Sequence, residues 1–238
     1  MLPRLEIGGI SLPTYWLMFA VGFLSIVVLM QYRRKQYSLT TVQAIFFSLL
    51  ITLFGLTGTK LLAVIQNWDE VQERGLSAAG QSFFGAVFLL PVGMALCARL
   101  FRMRSLAAVD ASAPCIASMI GFMRVGCFLN GCCGGWEVEL LGLRFRWPTQ
   151  AMESIGDFFV LGLLLQTEEQ NRNAGKRYAM FLIGYGIVRF FVEFLRNTEK
   201  GLLGLGDGQW FAVLGILIGA VVLLRNAGTN NRKQKRNV

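Results

Sequence analysis

The chain reads as an all-α membrane protein of seven transmembrane helices, with its N-terminus outside and its C-terminus cytoplasmic. Three observations predict this. Hydrophobic residues fill 54% of the 238 positions and charged residues only 16%, against about a quarter charged in a soluble domain; the mean hydropathy is +0.52. Apolar runs long enough to cross a bilayer recur along the chain. Basic residues gather in alternate connections, which sets orientation.

The expected spans, in order, are Tyr15–Met30, Val42–Gln66, Gln81–Phe101, Ala107–Asn130, Gln150–Gln166, Tyr178–Leu195 and Gln209–Leu224. No basic leader or small-residue cleavage site frames the first run, so it reads as a span rather than a signal peptide. Arg33, Arg34 and Lys35 follow the first span, and Arg99, Arg102 and Arg104 follow the third. Arg172, Lys176 and Arg177 follow the fifth, and Arg225, Arg232, Lys233, Lys235 and Arg236 follow the seventh. The intervening connections are neutral or acidic, as in NWDEVQERG with Asp69, Glu70 and Glu73. The net charge of +9 is therefore a topology signal and an attraction to anionic lipid heads, with no nucleic-acid partner implied. No repeat of fixed period is visible, so residues 1–224 form one membrane domain and 225–238 a basic cytoplasmic tail, expected to lack regular structure.

Several charges fall inside these spans or in their first turn: Lys60, Arg124, Glu153, Asp157, Arg189 and Glu193. A cation near mid-bilayer costs about 2.5–3.5 kcal/mol, so three unpaired ones would consume roughly 8–10 kcal/mol, comparable to the stability of a whole domain. They must pair, face a wet cavity or bind an anion. Helical spacing puts Arg189, Glu193 and Arg196 on one face, and Glu153 with Asp157 on another. The simplest account is interhelical ion pairs, which suits Glu193 with either arginine. It leaves unexplained why the charges gather in the outer half. At 1.5 Å per residue Arg124 lies about 10 Å below the outer end of its helix, and Arg189, Lys60 and Glu153 sit on the same side of the midplane. A net cationic chamber there suits an anionic phospholipid head, because guanidinium groups bind phosphate bidentately.

Five cysteines are present. Cys97 and Cys115 read as packing residues. Cys127, Cys132 and Cys133 cluster at the outer end of the fourth span, and their spacing leaves local packing, a disulfide or a reactive thiol as alternatives. C-x4-C-C matches no standard zinc pattern, and the chain contains no histidine, so no metal is expected. Gly55, Gly58, Gly184 and Gly186 read as close-packing positions between helices.

With these residues identified, the sequence resembles the prolipoprotein diacylglyceryl transferase family over nearly its whole length. TYWLMFAVGF is similar to the family's first span and carries Tyr15. GTKLL holds Lys60 where the family has arginine. GFMRVGCFLNGCCGG resembles the signature G-R-x-G-N-F-x-N-G-E, with Arg124 and Asn130 matched. WPTQAMES resembles P-[ST]-Q-L-Y-E, which matches Glu153. IGYGIVRFFVEFLRN resembles the sixth-span motif, with Arg189, Glu193 and Arg196 in place, and GDGQW resembles the turn that opens the last span. The resemblance implies a multi-pass enzyme of the bacterial cytoplasmic (inner) membrane, with no cofactor. Such an enzyme moves the diacylglyceryl group of phosphatidylglycerol to the lipobox cysteine of a secreted precursor protein and releases glycerol 1-phosphate. It implies catalytic roles for Arg124, Arg189 and Glu193, and substrate binding by Tyr15, Lys60, Asn130, Glu153 and Arg196. Three departures bear on the acceptor. Phe84 stands in SFFGA where the family has histidine; Cys127 replaces the signature asparagine; and Cys132, beside Cys133, replaces the signature glutamate. A different acceptor, or a non-catalytic transport or lipid-binding module that keeps the anion site, remains compatible with the residues.

Overall fold

The protein is described by a computed structural model over residues 3–7, 10–140, 143–167, 175–198 and 201–236. A short hairpin of β1 (Arg4–Ile7) and β2 (Ile10–Pro13) leads into α1 (Thr14–Arg33). Then come α2 (Thr41–Gln66), α3 (Trp68–Arg74), α4 (Phe83–Cys97) and α5 (Ser105–Asn130). A second hairpin, β3 (Glu137–Leu140) with β4 (Leu143–Arg146), precedes α6 (Thr149–Gln166), α7 (Lys176–Glu193) and α8 (Asp207–Arg236). The protein is mostly helical, and among the described residues five helices are long and apolar enough to cross a membrane: α1 with its extension to Tyr37, α2, α4 with its extension to Phe101, α5, and α8 as far as Ala227. The 18-residue helices α6 and α7 coincide with the other two expected spans, and they carry the buried charges Glu153, Asp157, Arg189 and Glu193.

Two sequence expectations differ from the structure, and one further connection is folded. NWDEVQERG, read as a plain connection, contains α3, which opens with Asp69 and Glu70 at the positive end of the helix dipole and closes with Arg74 at the negative end. The tail from Arg225 continues α8 through Arg236 instead of losing regular structure. The connection GWEVELLGLRFRW folds as the β3–β4 hairpin, whose cross-strand pairs include Glu137–Arg146 at 2.5 Å and Glu139–Arg144 at 3.1 Å. Arg172 lies outside the described residues.

Helix α5 is the centre of the bundle. It packs on α1, α4, α6 and α7, and it is buried almost continuously from Ala108 to Cys127. Its upstream half, SLAAVDASAPCIAS, consists largely of small residues, which let neighbouring backbones approach where no hydrophobic effect drives helices together. Glycines do the same at specific crossings. A Cβ on Gly58 of α2 or Gly85 of α4 would run into the other's carbonyl, whereas Gly55, expected to pack, meets nothing. Gly184 and Gly186 pack on Val160 and Ile216 as expected. Proline at 91 within α4 cannot donate to the carbonyl of Val87 four residues back; the Tyr178 hydroxyl of α7 donates to that oxygen at 2.5 Å. Asp110 of α5 accepts from the backbone N–H groups of Gly175 and Tyr178, each at 2.9 Å, and so satisfies orphan donors at the start of α7.

Candidate active site

Three helices bring the buried charges together. Glu153, in the first turns of α6, is shared by three guanidinium groups. It pairs with Arg124 of α5 through one oxygen, and with Arg189 of α7 through the other, which also receives Arg196 at 3.2 Å. Glu193 takes a second Arg189 nitrogen at 2.8 Å and Arg196 Nε at 3.8 Å, and its other oxygen accepts from Thr198 at 3.2 Å. The pairs of Glu193 with Arg189 and with Arg196 are the interactions that helical spacing alone foretold. Arg196 falls beyond the end of α7 rather than on its last turn, and it is held there by the bridge between its backbone and Gly135.

The cluster carries three cations against two carboxylates, with Asp157 a turn further along α6 and 1% exposed. Burying ions is unfavourable unless geometry and hydrogen bonds compensate. Here each guanidinium is held by carboxylate: Arg124 by Glu153, and Arg189 and Arg196 by both Glu153 and Glu193. The Arg124 guanidinium also lies over the Phe83 ring, 4.8 Å from its centroid, which fixes its plane.

A cavity of about 850 Å³ opens against these arginines. Arg124, Arg189 and Arg196 border it, as do Tyr15, Lys60 and Asn130. Glu153 and Glu193 do not: they stand behind the arginines, so their side chains position guanidinium groups and do not face the cavity. The expectation that Glu153 lines the pocket is thereby changed. Tyr15 donates to Gln81 at 3.3 Å and Lys60 to the carbonyl of Gly80 at 3.3 Å, so both stand at the rim beside the α3–α4 connection. The deeper walls are apolar and include Ile26, Ile51, Leu90 and Ile116. Eleven residues separate Tyr15 from Ile26 on α1, about 16 Å along the axis. Phe84, which occupies the position of the family's histidine, packs with Tyr185 and Phe211 at ring distances of 5.6 and 5.3 Å on the same wall. The Tyr185 hydroxyl has no hydrogen-bond partner among the described residues.

The cysteine cluster forms one edge of this cavity. At the end of α5, Gly131 adopts a left-handed conformation (φ +75°), Gly131 N–H bonds to Phe128 O and Cys132 N–H to Cys127 O at 3.2 Å each. This is a Schellman C-cap, and it turns the chain back on itself. Cys133 then takes a left-handed conformation too, at φ +63°. Gln150 and Thr149, at the start of α6, bond the carbonyls of Cys132 and Cys133. The three sulfurs end within 4.8 Å of one another. A hydrogen bond from the Cys127 thiol holds the Cys133 thiol below its ordinary range, and Arg196 acts in the same direction. None of the five cysteines is joined in a disulfide.

Sequence reasoning missed Phe83, Tyr185, Thr149 and Gln150, which sit in the quoted motifs without a charge to draw notice. It also missed Gly208 of GDGQW. A Cβ there would lie 2.9 Å from Glu193 Cδ and 3.0 Å from Arg189 Nη2, so α8 starts against the ion-pair cluster only because that position has no side chain.

Comparison with known proteins identifies the family. The family model described as prolipoprotein diacylglyceryl transferase matches residues 4–225. The chain is 32% identical over 246 residues to phosphatidylglycerol–prolipoprotein diacylglyceryl transferase 2 of Clostridium perfringens, covering 96% of each chain. It is 29% identical over 234 residues to the corresponding transferase of Clostridium tetani (91% and 94% covered), and 31% identical over 252 residues to that of Bordetella bronchiseptica (96% of each). An arginine cluster beside an apolar cavity, on a chain that the family model matches over residues 4–225, leads to one assignment: this protein belongs to the prolipoprotein diacylglyceryl transferase family.

Proposed function

We propose that the protein transfers the diacylglyceryl group of phosphatidylglycerol to the cysteine thiol of a prolipoprotein, releasing glycerol 1-phosphate. The observation that carries this is the polarity of the cavity: three guanidinium groups at one end and aliphatic walls at the other. A phospholipid has the same division. Its phosphate meets Arg124, Arg189 and Arg196, and its acyl chains lie along Ile26, Ile51 and Leu90. The acceptor sulfur attacks the glyceryl carbon bonded to the phosphate oxygen. The carbon–oxygen bond breaks, its electron pair departs with glycerol phosphate, and the thiol proton balances the phosphate monoester. Charge grows on the departing oxygens, where the guanidinium groups already point, so no reorganisation is needed at the moment of reaction. Glu153 and Glu193 hold the arginines in register, and Tyr15, Lys60 and Asn130 border the place of the glycerol head.

The membrane arrangement proposed with it has seven crossings, α6 and α7 joining the five apolar helices and α3 forming an outer connection. The N-terminus is outside and α8 ends on the cytoplasmic face of the bacterial inner membrane. The excess of Arg33–Lys35, Arg99–Arg104, Lys176, Arg177 and Arg225 at alternate helix ends supports this.

Purified protein incubated with labelled phosphatidylglycerol and a lipobox peptide should release glycerol phosphate and yield a peptide thioether. Absence of release with this peptide and with cell extract would favour a non-catalytic lipid-binding module. A reporter fused to Arg236 tests the orientation: it should be active only as a cytoplasmic reporter.

A further inference from the structure

We propose that Cys127, Cys132 and Cys133 form a three-sulfur site for a soft divalent cation of the zinc class, whose fourth position faces the cavity and receives the acceptor thiol. The second half of this rests on the transferase reading above; the first half does not.

The geometry supports the site in four ways. Three thiolates about 2.3 Å from a tetrahedral ion lie roughly 3.8 Å apart, and these sulfurs already fall within 4.8 Å of one another. The arrangement is built by the backbone. The C-cap of α5 and the left-handed Cys133 fold residues 132 and 133 back onto the last turn of the helix, and Gln150 and Thr149 clamp their carbonyls. A left-handed conformation is unfavourable for cysteine, and Cys133 is exposed, so apolar packing does not explain it. The three sulfurs also differ in access: Cys127 is buried in α5, Cys132 is half-buried and Cys133 is open, which provides an entry path. Finally, no fourth cysteine can close the site. Cys115 lies 12 residues earlier on α5, about 18 Å away along the axis, and Cys97 is at the far end of α4. Because all three residues border the cavity, the open side of the ion faces the bound lipid.

The chemistry has a use for such an ion. The chain has no histidine to take the acceptor's proton, and a thiol that coordinates a zinc-class ion loses its proton outright. Coordination would replace the acceptor S–H bond by S–metal and send the proton to water. The metal-bound sulfur then forms its bond to the glyceryl carbon as the carbon–oxygen bond breaks, and glycerol phosphate leaves with the electron pair and takes up a proton. The product thioether is neutral and a weak ligand, so it dissociates. Arg124 and Arg196 beside the sulfurs offset the negative charge of three thiolates and a fourth.

The test uses full-length protein, reduced and stripped of metal, titrated anaerobically with cobalt(II) and then zinc(II). One cobalt per chain, with sulfur-to-metal charge transfer in the near ultraviolet and tetrahedral bands in the visible, is expected, and zinc should displace it. Cys127→Ser and Cys133→Gly should each weaken binding at least about 100-fold, while Cys97→Ser binds as the parent does. Glycine suits the backbone of position 133, so that variant keeps the test valid should Cys127→Ser fail to fold. A lipobox peptide should shift the visible bands, and its serine analogue should not. Failure of the reduced protein to bind one equivalent, binding that survives both variants, or a disulfide between two of the three in the purified protein would overturn the site. Full transfer activity after complete metal removal would overturn the metal's part in activation while leaving the transferase reading intact. Stoichiometric binding without transfer under any condition would uphold the site and remove the transferase reading.

Discussion

Arg124 and Arg189, 65 positions apart on α5 and α7, are joined through the two oxygens of a single carboxylate, Glu153 of α6. Three helices therefore meet on one side chain, and both arginines also border the cavity. In the proposed function, the residues that would hold a lipid phosphate are the same ones that join these helices.

Alanine at Arg124 or Arg189 should lower glycerol phosphate release by at least about 100-fold, the usual cost of removing a donor aimed at developing charge. The protein should remain in the membrane, because each substitution leaves Glu153 two arginines. Arg189→Lys should also be impaired, since an ammonium cannot reach Glu153 and Glu193 with separate nitrogens and still face the cavity.

Glu153→Gln removes the shared carboxylate and leaves two buried cations, Arg124 and Arg189, and the partly buried Arg196 with Glu193 alone among their present carboxylate partners. Uncompensated buried charge costs about 3–5 kcal/mol. Thermal unfolding in detergent should show a clear loss of stability, larger than that of either arginine variant.

Gly208→Ala should depress transfer without unfolding the protein. The added methyl meets Glu193 Cδ at 2.9 Å and Arg189 Nη2 at 3.0 Å, so the pair must shift. Initial rates across lipid concentrations read this as a fall in kcat, with helical content unchanged by circular dichroism.

Tyr178→Phe leaves the Val87 carbonyl, already without an N–H donor because of Pro91, with no replacement for the Tyr178 hydroxyl. A buried unsatisfied carbonyl costs about 1–3 kcal/mol. The variant should unfold at lower temperature yet keep its lipid-transfer rate at 25 °C, as Tyr178 does not border the cavity.

Thiol alkylation of reduced, metal-free protein should proceed in the order Cys133, Cys132, Cys127, with Cys115 protected, following their exposure in the bundle. Mass spectrometry after timed iodoacetamide treatment gives the order; early labelling of Cys115 would contradict the packing of α5.

Local pattern was enough to read the apolar helices, the buried positions of Arg124, Arg189 and Glu193, and the i,i+4 pairing of the last two, because hydropathy and helical period are properties of neighbouring residues. Pattern did not show that Glu153 stands behind the arginines rather than in the cavity, or that Arg196 lies past the end of α7. Those follow from the depth and rotation at which α5, α6 and α7 pack, which no single helix encodes. The convergence of Cys127, Cys132 and Cys133 likewise needed the left-handed turn after α5 and its clamp from α6. The amino-acid pattern decided which groups are buried in the membrane; interhelical packing decided which of them touch, since an ion pair or a sulfur cluster depends on ångström distances between helices far apart in the chain.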